Sequence, residues 1–143
     1  DNDYFEREIK HLLDLPHVEF IGEINDSQKS DFLGRAMALL CPIDWVEPFG
    51  LVMIEAMACG TPVIVYDRGS APEVVENGVT GYVVKDEAEA AAAVRRARLL
   101  PRRLIRKRFE ERFTARRMTA DYLAVYRSLM TEQEVPAREL LRA

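Results

Sequence analysis

Two glutamates separated by seven residues flank the segment of the chain with the clearest chemical character. Glu47 and Glu55 lie on either side of Gly50 in the sequence Glu-Pro-Phe-Gly-Leu-Val-Met-Ile-Glu. Ionised carboxylates accept hydrogen bonds from hydroxyl groups, and the N–H groups that open a helix bind anions such as phosphate. A helix that begins at Gly50 would therefore place a phosphate-binding turn, formed by the amides of Gly50, Leu51 and Val52, between two hydroxyl acceptors.

Each glutamate has an ordinary structural interpretation beside the functional one. The predicted helix at 50–59 is apolar on all sides except at Glu55, so we expect it to be buried. A buried carboxylate needs a basic residue, backbone donors or ligand hydroxyls as partners, and this argument alone does not choose among them. Glu47 could bind hydroxyls, or it could complement the positive end of the helix dipole.

A second loop, at 67–73, follows the next apolar segment and contains further candidates. Gly69 and Ser70 would allow the backbone to approach a ligand closely. Arg68 could reach a phosphate, although most arginines simply lie at the protein surface. In the first loop, Trp45 could stack on a sugar or could pack at the base of the loop.

The elements that must position these residues follow from hydrophobic periodicity and from turn residues. Strands are predicted at 18–21, 38–42, 62–66 and 82–84. Helices are predicted at 4–13, from Asp26 or Ser27 towards Gly34, at 50–59 and 72–76, after Asp86, from Pro101, and from Thr114 to about residue 131.

Apolar strands that alternate with helices predict an α/β fold, with a Rossmann-like parallel sheet and helices on both of its faces. Ligands of such sheets bind beyond the carboxyl ends of the strands, so both loops should open into one crevice. Four strands are fewer than a sheet of this class usually has, and we expect a further strand and helix upstream. We expect residues 1–131 to form one partial domain with C-terminal helices, followed by a flexible tail at 132–143.

Composition and charge argue against several other classes of protein. The net charge of −4 provides no general attraction to nucleic acid. Basic residues are concentrated between Arg95 and Arg117, where solvated helix surfaces are a better interpretation than a nucleic-acid or anionic membrane surface. Cys41 and Cys59 are expected to be free thiols, and no metal site is expected. Without a leader or a membrane-spanning segment in the sequence, we expect a cytoplasmic location with no membrane association.

These motifs resemble the C-terminal domain of the family 4 retaining glycosyltransferases, which have the GT-B fold. The resemblance rests on residues 18–22, 47–56, 60–64, 69–75 and 77–82, and on a late segment at 111–126. The Glu47–Glu55 spacing is specific only in this context. Residues 41–44 replace a common Pro-Ser, and Gly69–Ser70 replaces a common Gly-Gly.

The resemblance implies a role for each site residue. Glu47 would hold hydroxyls of the donor sugar as the catalytic-site carboxylate. The backbone of Phe49, Gly50 and Leu51 would contact the sugar and the diphosphate, and Glu55 would bind the ribose hydroxyls. The implied reaction is transfer of a hexosyl group from a nucleoside diphosphate sugar with retention of configuration, without a cofactor or bound metal.

The resemblance also implies parts that this sequence does not show. We see no counterpart of the family's upstream Arg and Lys, or of its N-terminal acceptor-binding domain. We therefore expect the chain to be an inactive fragment of a longer enzyme, with exposed apolar edges that favour self-association. The alternatives are a non-catalytic nucleotide-binding module and a signalling receiver domain. For a receiver domain, Asp44 and Asp67 are poor substitutes for the required acidic cluster.

Overall fold

A computed structural model of the chain describes residues 2–133, which belong to two compact units, Asp1–Ser30 and Asp31–Ala143. Most of the predicted tail, 134–143, lies outside the described residues. Helix α8 continues to Gln133, slightly beyond the predicted end at residue 131.

The first unit begins with a helical segment of mixed geometry. It comprises α1 (Asn2–Tyr4), a π-helical stretch (Phe5–Ile9) and α2 (Lys10–Leu13). An ion pair between Lys10 Nζ and Glu6 Oε2, 2.8 Å apart, links successive turns. The helical prediction for 4–13 is confirmed, although the helix changes its hydrogen-bond pattern along the way.

The strand predicted at 18–21 is wrong, because these residues have no regular secondary structure. Their alternation of apolar and polar side chains suits a strand, but a strand also needs a neighbour for its backbone N–H and C=O groups. The described part of the first unit contains only helical elements and irregular segments, so this neighbour is not available there.

Helix α3 (Asp26–Arg35) begins one residue after its capping residue. The Gln28 N–H donates to Asn25 Oδ1 (3.2 Å), and the Asn25 N–H donates in return to Gln28 Oε1 (3.1 Å). This reciprocal pair is a capping box, which satisfies two backbone donors at once. The prediction that Asp26 or Ser27 caps the helix is therefore wrong by one or two residues.

The second unit contains a three-stranded parallel sheet in the order β1-β2-β3. The strands are β1 (Leu39–Cys41), β2 (Val63–Tyr66) and β3 (Gly81–Val84). Leu39 pairs with Val63, and Val63 pairs in turn with Gly81. The helices of this unit are α4 (Leu51–Ala58), α5 (Ala71–Val74), α6 (Glu87–Ala97), α7 (Arg102–Arg112) and α8 (Ala115–Gln133).

Helices cover both faces of this sheet, as the apolar strands predicted. On one face Val63 and Val65 belong to a core that includes Met53 of α4 and Ile105 of α7. On the other face Ile64 packs with alanines of α6, which recur at helical spacing: Ala90, Ala93 and Ala97. The predicted α/β class, with a parallel sheet between helices, is confirmed.

Burial of two elements differs from the prediction. Strand β1 is not covered on both faces, because it lies at the edge of the described sheet and its Leu40 side chain is 53% exposed. Helix α4 is not buried on all sides either. Met53, Ala56 and Met57 are buried, whereas Leu51, in the first turn, is 65% exposed.

The caps of the late helices are confirmed. Asp86 Oδ1 accepts a hydrogen bond from the Glu89 N–H (2.8 Å) at the start of α6, and Thr114 Oγ1 accepts one from the Arg117 N–H (3.2 Å) at the start of α8. Among residues 2–133, no helix is both long and apolar enough to cross a bilayer.

Candidate functional site

The loops that follow β1 and β2 are joined through their backbones. The Ser70 N–H donates to the Glu47 carbonyl oxygen (2.9 Å). Gly69 has a φ of 52°, and a Cβ at this position would overlap the backbone N and O atoms of Glu47. Glycine is therefore required here both for its conformation and for its size, and it places Ser70 directly beside Glu47.

The Glu47 carboxylate is half-buried and is held at both of its oxygens. Oε1 accepts a hydrogen bond from the Gly50 N–H (2.9 Å) and lies 3.5 Å from the Phe49 nitrogen. Oε2 accepts a hydrogen bond from the indole Nε1–H of Trp45 (3.0 Å). The carboxylate thus lies at the N-terminal end of α4, where the helix dipole favours a negative charge.

This contact changes the predicted phosphate-binding turn. Of its three amides, the Gly50 N–H already donates to Glu47, so it is not free as the sequence suggested. Gly50 adopts a φ of 77° and precedes the first helical residue. The amides of Leu51 and Val52 lie in the first turn of α4, where N–H groups have no acceptor within their own helix. The helix start therefore offers two amides next to a carboxylate.

Beside this carboxylate lies a cleft of about 390 Å³. Four of the predicted site residues lie in its wall: Glu47, Phe49, Gly69 and Ser70. The Ser70 hydroxyl oxygen is buried and has no hydrogen-bond partner among the described residues. A buried hydroxyl without a partner is uncommon in folded proteins, and it lies in the wall of a cleft that can admit a polar ligand.

The C-terminal end of α7 contributes two residues to the cleft that were not predicted from the sequence: Arg112, the last residue of the helix, and Phe113, which follows it. The Arg112 guanidinium donates to the Glu73 carbonyl oxygen (2.6 Å) and to Glu76 Oε1 (2.9 Å). The ring of Phe113 packs edge-to-face against Phe49, with centroids 6.3 Å apart. Arg112 belongs to the basic segment that we interpreted as a helix surface and to the late segment of the family resemblance, 111–126, but neither observation assigned it to the site.

The remaining predicted residues do not lie in the wall of this cleft. Glu55 is half-buried on α4, and the amides of Leu51 and Val52 lie at the start of the same helix. Arg68 lies at the surface, where its Nε is 3.2 Å from Asp44 Oδ1. Trp45 is 63% exposed, so it does not pack at the base of the loop.

A larger groove of about 1070 Å³ lies along the α6 face of the sheet. Arg68 and Asp44 line one part of it, and Leu40 and Tyr66 contribute apolar surface. The predicted single crevice is therefore divided in the structure between this groove and the cleft beside Glu47.

Cys41, at the end of β1, is electrostatically linked to the site. Burial raises the pKa of its thiol, and the nearby Glu47 carboxylate raises the same pKa further by disfavouring a second negative charge. Cys41 is thus a protonated, buried thiol at neutral pH. Both it and Cys59 are free, which confirms that prediction.

Comparison with known proteins identifies the family that this fold and these loops define. Residues 1–116 match the sequence profile of the family described as glycosyl transferases group 1, and the chain belongs to this family. The match confirms that the resemblance to glycosyltransferases is correct. Membership of family 4 and retention of configuration stay predictions.

Several enzymes of this kind are similar to the chain. It is 33% identical over 95 residues to a phosphatidyl-myo-inositol mannosyltransferase of Mycobacterium leprae, covering 66% of this chain and 25% of that protein. It is 41% identical over 88 residues to a glycogen synthase of Mycobacterium tuberculosis, covering 60% of this chain and 21% of that protein.

A solved structure supports the fold as well. The sucrose-phosphate synthase of Thermosynechococcus elongatus superposes with a TM-score of 0.65 at 32% identity, covering 80% of this chain and 31% of that one. The chain therefore spans about a quarter of the length of the mannosyltransferase and a third of the solved structure.

Proposed function

We propose that this chain is the donor-binding part of a retaining glycosyltransferase that transfers a hexosyl group from a nucleoside diphosphate sugar to an acceptor. The observation that carries the proposal is the half-buried Glu47 carboxylate, which is fixed at the start of α4 in the wall of a cleft. Membership of the glycosyl transferases group 1 family supports the reaction class, and the mannosyltransferase and the glycogen synthase support a hexose as the transferred group.

In the proposed mechanism the start of α4 has two tasks. Negative charge develops on the diphosphate as it leaves the sugar, and preorganised N–H groups stabilise such charge without reorganising. The first-turn amides of Leu51 and Val52, together with the helix dipole, supply this stabilisation. Glu47 accepts hydrogen bonds from sugar hydroxyls and so fixes the sugar relative to the diphosphate.

Further contacts complete the proposed donor site. The backbone of Phe49 and Gly50 borders the sugar and the diphosphate, and Glu55, about one turn after the first residue of α4, binds the ribose hydroxyls. Ser70 lies in the wall of the same cleft, and rotation of its buried hydroxyl, which has no partner among the described residues, would supply a hydrogen bond to the ligand. Trp45 offers an exposed ring on which a sugar can stack. Arg68 lines the neighbouring groove and pairs with Asp44, and it would have to leave this partner to contact a phosphate.

The acceptor, in this proposal, is bound by a separate N-terminal domain of the same parent enzyme, which works in the cytoplasm without a cofactor or a bound metal. We expect the 143-residue chain alone to bind nucleotide and not to transfer sugar.

Two experiments test the proposal. Calorimetric titration of the chain with UDP, GDP and ADP should show binding of one of them, and the parent enzyme should consume the corresponding nucleotide hexose. Glu47→Gln should lower turnover by about 10²-fold or more, because the sugar loses its anchor in the transition state, while nucleoside diphosphate affinity changes little.

The control is Glu110→Gln, the same isosteric change at an exposed position on α7, where the ion pair to Arg106 contributes little. Turnover of Glu47→Gln equal to that of the control would remove Glu47 from the mechanism. Nucleotide binding without donor consumption by the parent would instead indicate a non-catalytic nucleotide-binding module.

A further inference from the structure

We propose that Trp45 is a positioning residue, whose indole N–H holds the Glu47 carboxylate in the orientation that presents it to the donor sugar. The inference rests on the proposed role of Glu47 in sugar binding. Trp45 is also the single tryptophan of this sequence, which makes the contact directly observable.

The argument begins with the freedom of a glutamate side chain. Rotation of the terminal carboxylate about its last side-chain bond has only broad, shallow preferences, so one hydrogen bond does not fix its plane. Here the Gly50 N–H donates to Oε1 (2.9 Å) and the Trp45 indole donates to Oε2 (3.0 Å). Because the two donors bind different oxygens, together they fix the plane of the carboxylate.

These contacts also determine which lone pairs remain for a ligand. A carboxylate can accept about four hydrogen bonds, two at each oxygen. Oε1 accepts a hydrogen bond from the Gly50 amide and has the Phe49 amide nitrogen at 3.5 Å, which is a long distance for a hydrogen bond. Oε2 has the Trp45 indole as its one donor among the described residues. The second lone pair of Oε2 is therefore the acceptor site that Trp45 leaves available for a sugar hydroxyl.

The environment of Trp45 indicates that packing does not explain its position. The side chain is 63% exposed, so most of its large apolar surface gains nothing from burial. An indole is a hydrogen-bond donor only, and a hydrogen bond to a charged acceptor is stronger than one between neutral groups. The bond to Glu47 is the hydrogen bond that the ring makes, and because the residue is mostly exposed, replacing the ring should alter the site without unfolding the protein.

The test uses two variants of Trp45 in the purified protein. Trp45→Phe keeps an aromatic ring for stacking and removes the N–H, whereas Trp45→His restores a ring donor. The probes are UDP-glucose, GDP-mannose and ADP-glucose, each paired with its free nucleoside diphosphate. We expect Trp45→Phe to lower the affinity for the nucleotide sugar by about tenfold and to leave the affinity for the free diphosphate within twofold of the wild type. In Trp45→His the ring donor should restore part of the lost affinity for the nucleotide sugar.

The outcomes separate this inference from the proposed function. If Glu47→Gln lowers the affinity for the nucleotide sugar and Trp45→Phe does not, Glu47 keeps its role and the positioning role of Trp45 is wrong. If Trp45→Phe weakens the sugar and the free diphosphate equally, its effect is structural, which also overturns the inference. If neither Glu47→Gln nor Trp45→Phe changes the affinity for any of the probes, the proposed sugar-binding role of Glu47 is itself wrong.

Fluorescence provides a readout that does not depend on activity. The emission of Trp45 is isolated as the difference between the wild-type protein and Trp45→Phe. We expect Glu47→Gln to shift this emission without any ligand, because the indole loses its charged acceptor. Because glutamine retains one acceptor oxygen, Glu47→Ala is measured as well, and emission unchanged in both variants would show that the indole–carboxylate bond is not formed in solution and would overturn the inference.

Discussion

The Glu47 carboxylate has a structural task as well as the proposed functional one. It accepts a hydrogen bond from the Gly50 N–H and so satisfies one of the donors at the start of α4. A hydrogen bond of this kind contributes about 1 kcal/mol to stability. Glu47→Ala would therefore mix a folding effect with a binding effect. Glu47→Gln retains an acceptor oxygen and is the more informative substitution.

Gly69 should be intolerant of any side chain, because it lies against the Glu47 backbone at a positive φ. We expect Gly69→Ala to lower the free energy of unfolding by about 2–4 kcal/mol, since conformational strain and overlap add. The matched control is Gly78→Ala, where φ is 78° and a Cβ would meet no atom within 4 Å. That variant should lose only about 1–2 kcal/mol. Equal losses in urea unfolding would show that the two loops are not in backbone contact.

The raised pKa of Cys41 predicts a pH dependence that reports on Glu47. In a Cys59→Ser background, the pH profile of iodoacetamide alkylation should have its midpoint above that of an unfolded thiol. Glu47→Gln should move this midpoint down part of the way, because burial is the larger cause and remains. An identical profile in both proteins would contradict the electrostatic link.

The same shift has a consequence for stability. Because the folded protein binds the thiol proton more tightly than the unfolded chain does, the contribution of Cys41 is fully present below the unfolded pKa. It is lost as the pH rises through the folded pKa.

Among the elements, the N-terminal end of α7 is anchored by Arg102. The Arg102 guanidinium donates to the carbonyl oxygens of Ala36 (2.8 Å) and Gly34 (2.7 Å) and to Thr61 Oγ1 (2.7 Å). These bonds join the start of α7 to the segment after α3 and to the turn before β2. They hold in place the helix that provides Arg112 and Phe113 to the cleft.

Arg102→Met should therefore lower the free energy of unfolding by about 2–4 kcal/mol, because three acceptors lose a charged donor. The adjacent Arg103→Met is the control, since Arg103 is exposed, and it should cost less than about 0.5 kcal/mol. Chemical denaturation measures both. Similar losses for the two variants would show that the Arg102 bonds do not hold the helix.

Local signals explain which elements were predictable from the sequence. The start of α6 was correct because Asp86 and the residues after it carry their own capping information. The strand at 18–21 was wrong, and the coverage of β1 was overstated, because both depend on neighbours distant in sequence. In the site, chain order alone placed Glu47 and Gly69 on adjacent loops. The bond from Trp45 to Glu47 and the presence of Arg112 in the cleft depend on tertiary packing.

For the molecule as a whole, the sheet of the second unit has an open edge at β1 among the described residues. Strand β1 has a partner on one side only among the described residues, and its Leu40 side chain is exposed. Unpaired strand edges with apolar side chains promote association between copies. The chain should therefore self-associate with rising concentration in sedimentation velocity, and Leu40→Lys should weaken the association. A chain that stays monomeric throughout would contradict this prediction.

The direct test of the central claim is the difference in binding free energy between a nucleotide hexose and its free nucleoside diphosphate, measured by calorimetry. The claim is that Glu47 binds the sugar while the start of α4 binds the diphosphate. The parent enzyme and its Glu47→Gln variant are compared. We expect the wild type to gain affinity from the sugar, and the variant to lose most of that gain at unchanged diphosphate affinity. A gain of the same size in both proteins would contradict the account.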